Sequence, residues 1–386
     1  MPTQNNISPA QPSVVQFARG VPPLEAIATT ELAAQAEAVL QERNDIFQYA
    51  PLGRNQGDPN LRDQLGAFHG VAAEDIFVGN GSLQVLDLLA GYFLQNRKAL
   101  VYVEAPTYDR AIEIFERHGA EVVGIPLEAD GLDIELLQKR LASNVPALLY
   151  TIPDFQNPAG VTLSLEKRKV LVDLAATHGF TILEDIPYRE LRYHGTAPPL
   201  LRELSDRGAV ITIASLSKIL SPGLRIGYAI SDKNTSQALA GLAEGTYLSP
   251  VPFCQAVAAR SFATNLVEPS IKRVRELLRP RHDQAVAAAQ EWLGDSIICI
   301  PNGGYYLSVR LRTEMSEATF LESARAEGVI LTRGSGFYPR SPQPDPGTLF
   351  LRLPFQALAP AEFAEGLERL VKVAQRAAPQ KSAVYV

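Results

Sequence analysis

The amino-acid sequence predicts an α/β protein: a three-layer α/β/α domain on a mostly parallel sheet, joined to a smaller α+β domain. Three observations carry this. The 386 residues exceed one ordinary core and suit about two domains. Between residues 99 and 230, short β-branched runs alternate with helical patterns, the order that gives a parallel sheet covered on both faces. After about residue 290 the character changes to strand signals with only two helices between and after them. The predicted division is 1–45 for an N-terminal arm and helix belonging to the small domain, 46–285 for the large domain and 286–386 for the small C-terminal domain.

The strand-like runs of the large domain are Ala99–Val103, Glu121–Ile125, Ala147–Thr151, Phe180–Leu183, Val210–Ile213 and Ile226–Ile230. Helical patterns cover 29–43, 82–96, 107–118, 133–143, 164–178, 232–245 and 266–292, the last long enough to bridge the two domains. In the C-terminal part, strands are expected at Tyr305–Val309, Val329–Leu331 and Leu349–Leu353, with helices at 316–327 and 360–375. Arg340–Gly347 is an exposed loop by its Pro and Gly content, and Met1–Ser13, polar with three prolines, is a loose tail rather than a secretory signal.

Composition removes several classes of function. Hydrophobic residues at 46% and charged residues at 20% describe a globular chain. A net charge of −6 without a long basic run argues against a nucleic-acid binder. No apolar stretch approaches the roughly 20 residues of a membrane span. Two cysteines, Cys254 and Cys299, exclude a disulfide scaffold, read as packing residues and suit a reducing, cytoplasmic setting. The five histidines are scattered, as surface or helix-end residues, and no paired-ligand spacing exists, so no metal site is predicted.

Ligands of an open parallel sheet bind beyond the carboxyl ends of its strands. Polar residues follow four consecutive strands there: Tyr108; Asp154 and Asn157; Asp185 and Tyr188; Ser215, Ser217 and Lys218. The segment from Ser215 to Tyr228 is the most informative. Two hydroxyls flank Lys218 and Arg225 follows seven residues later. Hydroxyls and a guanidinium suit a phosphate, and a lysine beside them suits an imine with an aldehyde. Together they describe pyridoxal 5′-phosphate (PLP). Asp185 can keep a pyridine nitrogen protonated, Tyr188 and Asn157 can bond a phenolic oxygen, and Tyr108 can stack on the ring. Gly79–Gln84 before a helix can offer the backbone N–H groups of Ser82 and Leu83 to the phosphate. Glu184 reads as structural.

The chain resembles the fold-type I PLP-dependent aminotransferases of class I/II, in the branch of 2-aminoadipate aminotransferases and the aminotransferase-like domains of MocR regulators. The motifs are Val103-Glu-Ala-Pro-Thr-Tyr108, Ile152-Pro-Asp-Phe-Gln-Asn-Pro-Ala-Gly160, Glu184-Asp-Ile-Pro-Tyr188, the Lys218 segment, Gly303-Gly-Tyr-Tyr306 and Leu351-Arg-Leu-Pro-Phe355. They run from about Phe17 to the C-terminal helix. Departures from the family pattern, Ala159 before Gly160 and Pro354, remove no catalytic group. The resemblance implies an amino group moved between an L-amino acid and a 2-oxo acid, through a Lys218 aldimine and ping-pong half-reactions. It implies Arg352 on the substrate α-carboxylate, with Asn157, Gly20 and Arg19 beside the substrate. It also implies a homodimer with shared active sites, Tyr49 reaching the partner's cofactor phosphate.

The same residues support β- or γ-elimination, replacement, cyclisation or oxidation of an amino acid. Ser215-Leu-Ser-Lys218 also matches the S-x-x-K of acyl-transfer enzymes, without that motif's companions. No DNA-binding domain of regulator type fits before Phe17, although a cofactor-binding sensor without turnover stays open. The loop Tyr49–Arg62 is about three residues longer than the family's. Its Arg54, Asn55, Gln56 and Asp58, with Arg19, are candidates for substrate choice, against a plain surface insertion. Tyr305 and Tyr306 either line the pocket or pack a strand.

Overall fold

A computed structural model describes residues 14–50, 56–95, 99–205, 208–341 and 347–377. The expected tail, Arg54 and Asn55 lie outside these. The strands are β1 (Val15–Phe17), β2 (Ile76–Gly79), β3 (Leu100–Ala105), β4 (Glu121–Glu128), β5 (Gly131–Leu132), β6 (Leu148–Thr151), β7 (Thr181–Asp185), β8 (Val210–Ser215), β9 (Gly227–Ile230), β10 (Tyr306–Arg312), β11 (Val329–Leu331) and β12 (Thr348–Pro354). The helices are α1 (Thr29–Glu42), α2 (Pro59–His69), α3 (Ser82–Phe93), α4 (Asp109–Arg117), α5 (Ile134–Leu141), α6 (Leu165–His178), α7 (Leu201–Leu204), α8 (Lys233–Tyr247), α9 (Pro252–Ala263), α10 (Val267–Leu293), α11 (Glu317–Ala326) and α12 (Pro360–Ala377).

Eight strands form the main sheet in the order β2-β9-β8-β7-β6-β3-β4-β5. Successive side chains of a strand face opposite sides. Tyr102, Leu149 and Ile182 therefore join a core with α5, α6 and α7, while Val101, Val103, Tyr150 and Leu183 join the larger core on the other face, where α3 and α4 pack. The pairs β3–β4, β3–β6, β6–β7 and β7–β8 are parallel as expected. Strand β9 corrects the reading, being antiparallel to both β8 and β2. Only residues 216–226 join β8 to β9, and a parallel crossover needs about a dozen or more, usually with a helix.

Several elements escaped the sequence reading. Strand β2 has four buried residues in a row, without alternation. Helix α2 starts where a loop was expected: Asp58 accepts from Leu61 N–H and Pro59 fills the first turn. Helix α9 buries Gln255 and Ser261 among alanines, so it shows no clear apolar stripe.

Two small sheets complete the site. In the antiparallel pair β10–β12, Ser308 sits opposite Arg352. Strand β1 runs parallel to β11, Phe17 beside Leu331, and this carries residues 18–21 across the ends of the main sheet. Helix α10, with Pro280 inside it, packs on α12 and β10.

Candidate active site

The carboxyl ends of β3, β6, β7 and β8 open into a cavity of about 380 Å³. Its walls include Arg19, Gly20, Ser82, Leu83, Tyr108, Asn157, Asp185, Tyr188, Ser215, Ser217, Lys218, Arg225 and Arg352. Tyr49 stands elsewhere: it is 73% exposed and lines a second concavity with Arg43, Asp58 and Gln255.

Lys218 donates from Nζ to the carbonyl of Gly20 at 2.9 Å and lies 5.3 Å over the Tyr305 ring. Burial, then the charges of Arg225 and Arg352, lower its pKa from 10.5 to about 8. The serine hydroxyls are turned away from it. Ser215 Oγ donates to Ser217 Oγ at 2.9 Å or to Ile226 O at 3.2 Å, so no serine–lysine pair of acyl-transfer type forms.

Asp185 ends β7 inside this wall. Tyr150, on the neighbouring β6, donates to its Oδ2 at 2.7 Å, while Oδ1 is buried with no partner. Burial pushes the carboxyl up to about 7, although the Tyr150 bond pulls it down. An unpartnered buried carboxylate oxygen is costly unless a donor arrives, and a protonated ring nitrogen is such a donor.

Around the cavity's other end, α3 has Gly81 at its N-cap and so no side-chain cap, which leaves its first N–H groups open to an anion. Gly81 sits at φ 98°, and a Cβ there would lie 2.1 Å from Arg225 Nη2. Arg225 itself has φ 54°, turning its guanidinium toward this cup. Ser215, Ser217 and Arg225 with the bare α3 terminus fit a phosphate, and the fit to PLP is complete with Lys218 and Asp185. Gly227 seats β9 against the same turn: its Cβ would meet Ser82 N at 2.0 Å. Backbone atoms cannot step aside, so Gly227→Ala is expected to cost about 1–3 kcal/mol of stability. It should also weaken cofactor affinity about tenfold or more, because the α3 N–H groups shift. Absorbance titration of the stripped protein checks this; unchanged affinity would detach the α3 terminus from the cofactor.

Arg352 reaches in from β12. Its Nη1 donates to Asn157 Oδ1 at 2.9 Å and its Nη2 to Ala18 O at 2.9 Å, and the guanidinium lies between the Tyr306 and Phe337 rings at 4.8 and 4.7 Å. Its Nε is buried and unpartnered. Because Asn157 Oδ1 is taken, its amide N–H groups remain to donate into the cavity. Tyr188 and Tyr306 share a hydroxyl–hydroxyl bond of 3.1 Å.

Other expectations are corrected. Asp154 does not join the cavity. It is fully buried and accepts from Arg168, Arg189 and Arg192 at 3.0, 3.1 and 3.3 Å, a structural hub. Gln56 bonds Ser236 at 3.0 Å, and Asp58 caps α2 and pairs with Arg43 at 2.7 Å, so neither is turned to substrate. Tyr305 packs beneath Lys218, while Tyr306 lines the cavity. Glu184 is structural, as expected, held by Leu201 N–H and Thr212. His282 is neither a surface nor a helix-end residue, being buried within α10. Both cysteines are half-buried and free. Tyr150 was missed because a tyrosine inside a strand ordinarily signals packing alone.

A family model described as "Aminotransferase class I and II" matches residues 12–370. Aromatic-amino-acid aminotransferase 1 of Thermococcus litoralis is 30% identical over 371 residues, 93% of this chain and 87% of that protein. The 2-aminoadipate transaminase of Thermus thermophilus is 30% identical over 365 residues, 93% of this chain and 90% of its own length. The crystal structure of Pyrococcus horikoshii kynurenine aminotransferase, in complex with PMP, superposes with a TM-score of 0.88 at 30% identity, covering 94% of this chain and 91% of that one.

Proposed function

The chain belongs to the class I and II aminotransferases and is a PLP-dependent transaminase, and from that premise we propose how its own residues divide the work. The observation that carries the assignment is the convergence of an amine of lowered pKa, a buried carboxylate oxygen lacking a donor and a phosphate-sized cup in one cavity.

PLP, when bound, supplies an electron sink conjugated to the substrate α-carbon. Asp185 Oδ1 would accept a hydrogen bond from the ring nitrogen and keep it protonated, with Tyr150 fixing the carboxylate from the other side. Ser215, Ser217, Arg225 and the N–H groups of Ser82 and Leu83 hold the phosphate. Asn157 and Tyr188 would donate to the phenolic oxygen and Tyr108 would cover the ring. Lys218 would give up its bond to Gly20 O to anchor the cofactor, and once the substrate amine has displaced it, the freed Nζ would take and return the substrate proton as general base and acid. Its lowered pKa suits that exchange near neutral pH.

Arg352 binds the α-carboxylate of the amino acid or 2-oxo acid, oriented by Asn157 and the two aromatic rings. Arg352→Lys keeps the charge and loses the fork, which is expected to cost about 10²-fold in kcat/KM, mainly through KM. Steady-state kinetics with amino donor and 2-oxo acid test it, and an unchanged KM for both would remove Arg352 from the site.

The relatives' names suggest aromatic and 2-aminoadipate-type donors. Arg19, exposed at the cavity rim, is placed to meet the far end of such a side chain. Bleaching of the cofactor band by single amino acids, without an acceptor, with one equivalent of 2-oxo acid released, identifies the donor class. Continuing turnover without acceptor would instead mean elimination or oxidation.

The active unit is proposed to be a homodimer. Phe47, Tyr49, Leu248 and Val251 are exposed, and Tyr49 lines the second concavity with Ser249, Pro250 and Pro252. That surface suits a second copy, whose cavity Tyr49 would complete. Two free cysteines favour a cytoplasmic setting.

A further inference from the structure

Apart from the cavity, the chain after β7 meets α10 and the segment leading into β10. Both Tyr193 and His194 donate their backbone N–H to Asn302 O, at 2.9 and 3.1 Å. Beneath this turn, His282 Nε2 lies 2.7 Å from Pro301 O, and His282 Nδ1 lies 2.9 Å from Asp283 Oδ1. His194 Nε2 approaches the same carboxylate oxygen at 2.7 Å. One ligand atom from each of the three side chains falls within 4.8 Å of the others.

The His282 side chain is 4% exposed, so it cannot exchange these contacts for water. A backbone carbonyl only accepts, so Nε2 carries a proton. Where Nδ1 carries no proton, its lone pair faces an oxygen that also has only lone pairs. Two acceptors 2.9 Å apart at a buried nitrogen call for positive charge between them. Two imidazole nitrogens and a carboxylate oxygen are a ligand set of zinc-type ions. The Nε2–H···O=C bond is the outer contact that orients a metal-binding histidine.

We propose that His194, His282 and Asp283 form a binding site for a divalent transition metal of the zinc class, separate from the cofactor cavity. Ligand distances of about 2.0–2.2 Å place neighbouring ligand atoms about 3.3 Å apart in a tetrahedral site. The two contacts to Oδ1 open by about half an ångström and the two imidazole nitrogens, within 4.8 Å of each other, settle to about 3.3 Å; His194 and Asp283, 36% and 46% exposed, are free to make that adjustment. The fourth position faces solvent and takes water. Arg279 stands 3.9 Å from the other carboxylate oxygen and leaves Oδ1 to the ion. The ion would clamp the turn after Tyr188, Arg189 and Arg192 onto α10. None of the three ligands lines the cavity, so the site does not depend on the assignment of Lys218.

The test uses the holoenzyme, dialysed against chelator and titrated with Zn²⁺ by calorimetry and thermal melting. One ion per chain and a Tm raised by several degrees are expected. His194→Ala and Asp283→Asn, both at the surface, should each weaken binding about 10²-fold and abolish the Tm shift while the metal-free transamination rate stays within about twofold. No binding, or binding that survives both substitutions, overturns the proposal and leaves His282 as a protonated partner of Asp283.

Discussion

Lys218→Ala is expected to lower transamination at least about 10³-fold while the protein still holds about one cofactor per chain. The size follows from the general acid–base contribution of a positioned group, about 10²–10⁴-fold, with the covalent anchor lost as well. Cofactor retention follows because the phosphate cup and Asp185 are untouched. A small added primary amine should recover part of the rate, since the substitution leaves space where Nζ stood. A pH readout accompanies this. Only a neutral amine attacks an aldehyde, and a pKa of about 8 makes roughly a tenth of Lys218 neutral at pH 7, against roughly 0.03% at 10.5. Capture of PLP by the stripped wild type should therefore rise with pH and level off above about 8. A rise continuing toward 10 would mean that burial beside Arg225 and Arg352 does not act on this amine. More than a tenth of wild-type activity in Lys218→Ala would falsify its role as base.

Lys218, Asp185, Ser215 and Asn157 were legible because a parallel sheet sends the ends of its strands to one place, and these residues stand at strand ends or a few residues beyond them. Asp154 shares that sequence position and was misread. A carboxylate at a strand end looks the same whether it faces a cavity or three arginines, and the arginines come from residues 168, 189 and 192. The direction of β9 depended on the length of the loop carrying Lys218, which periodicity does not register. Gly81, Gly227 and Ser82 meet only because β9 returns antiparallel beside β2. Likewise His194 and His282 look scattered until α10 passes under the turn after Tyr193. The polar loop before α2 invited a functional reading, yet Gln56 and Asp58 are occupied by Ser236, Arg43 and the helix cap. Polarity marks a residue able to recognise a ligand but does not separate it from one already satisfied.

Asp185→Asn is expected to lower kcat about 10³-fold, roughly 4 kcal/mol of barrier, with substrate KM changed little. An amide carries no charge to hold a proton on the ring nitrogen, so the electron sink weakens while Arg352 still binds the α-carboxylate. Stability as a function of pH offers a second reading. In the free protein, burial raises the Asp185 pKa from 3.8 to about 7. The folded chain then holds a proton that the unfolded chain has released, so this group's contribution to stability falls as pH rises between about 4 and 7. A bound cationic ring favours the charged carboxylate and removes that fall. The Tm gain from cofactor should consequently grow through this range in the wild type and stay flat for this group in Asp185→Asn. Tyr150→Phe separates positioning from charge. It removes a bond that lowers the Asp185 pKa and should cut kcat about tenfold, moving the pH dependence of the Tm gain upward. If Tyr150→Phe lowered kcat with no shift along the pH axis, Tyr150 would be packing alone. If Asp185→Asn kept wild-type kcat, the unpartnered oxygen at the end of β7 would not face the ring nitrogen.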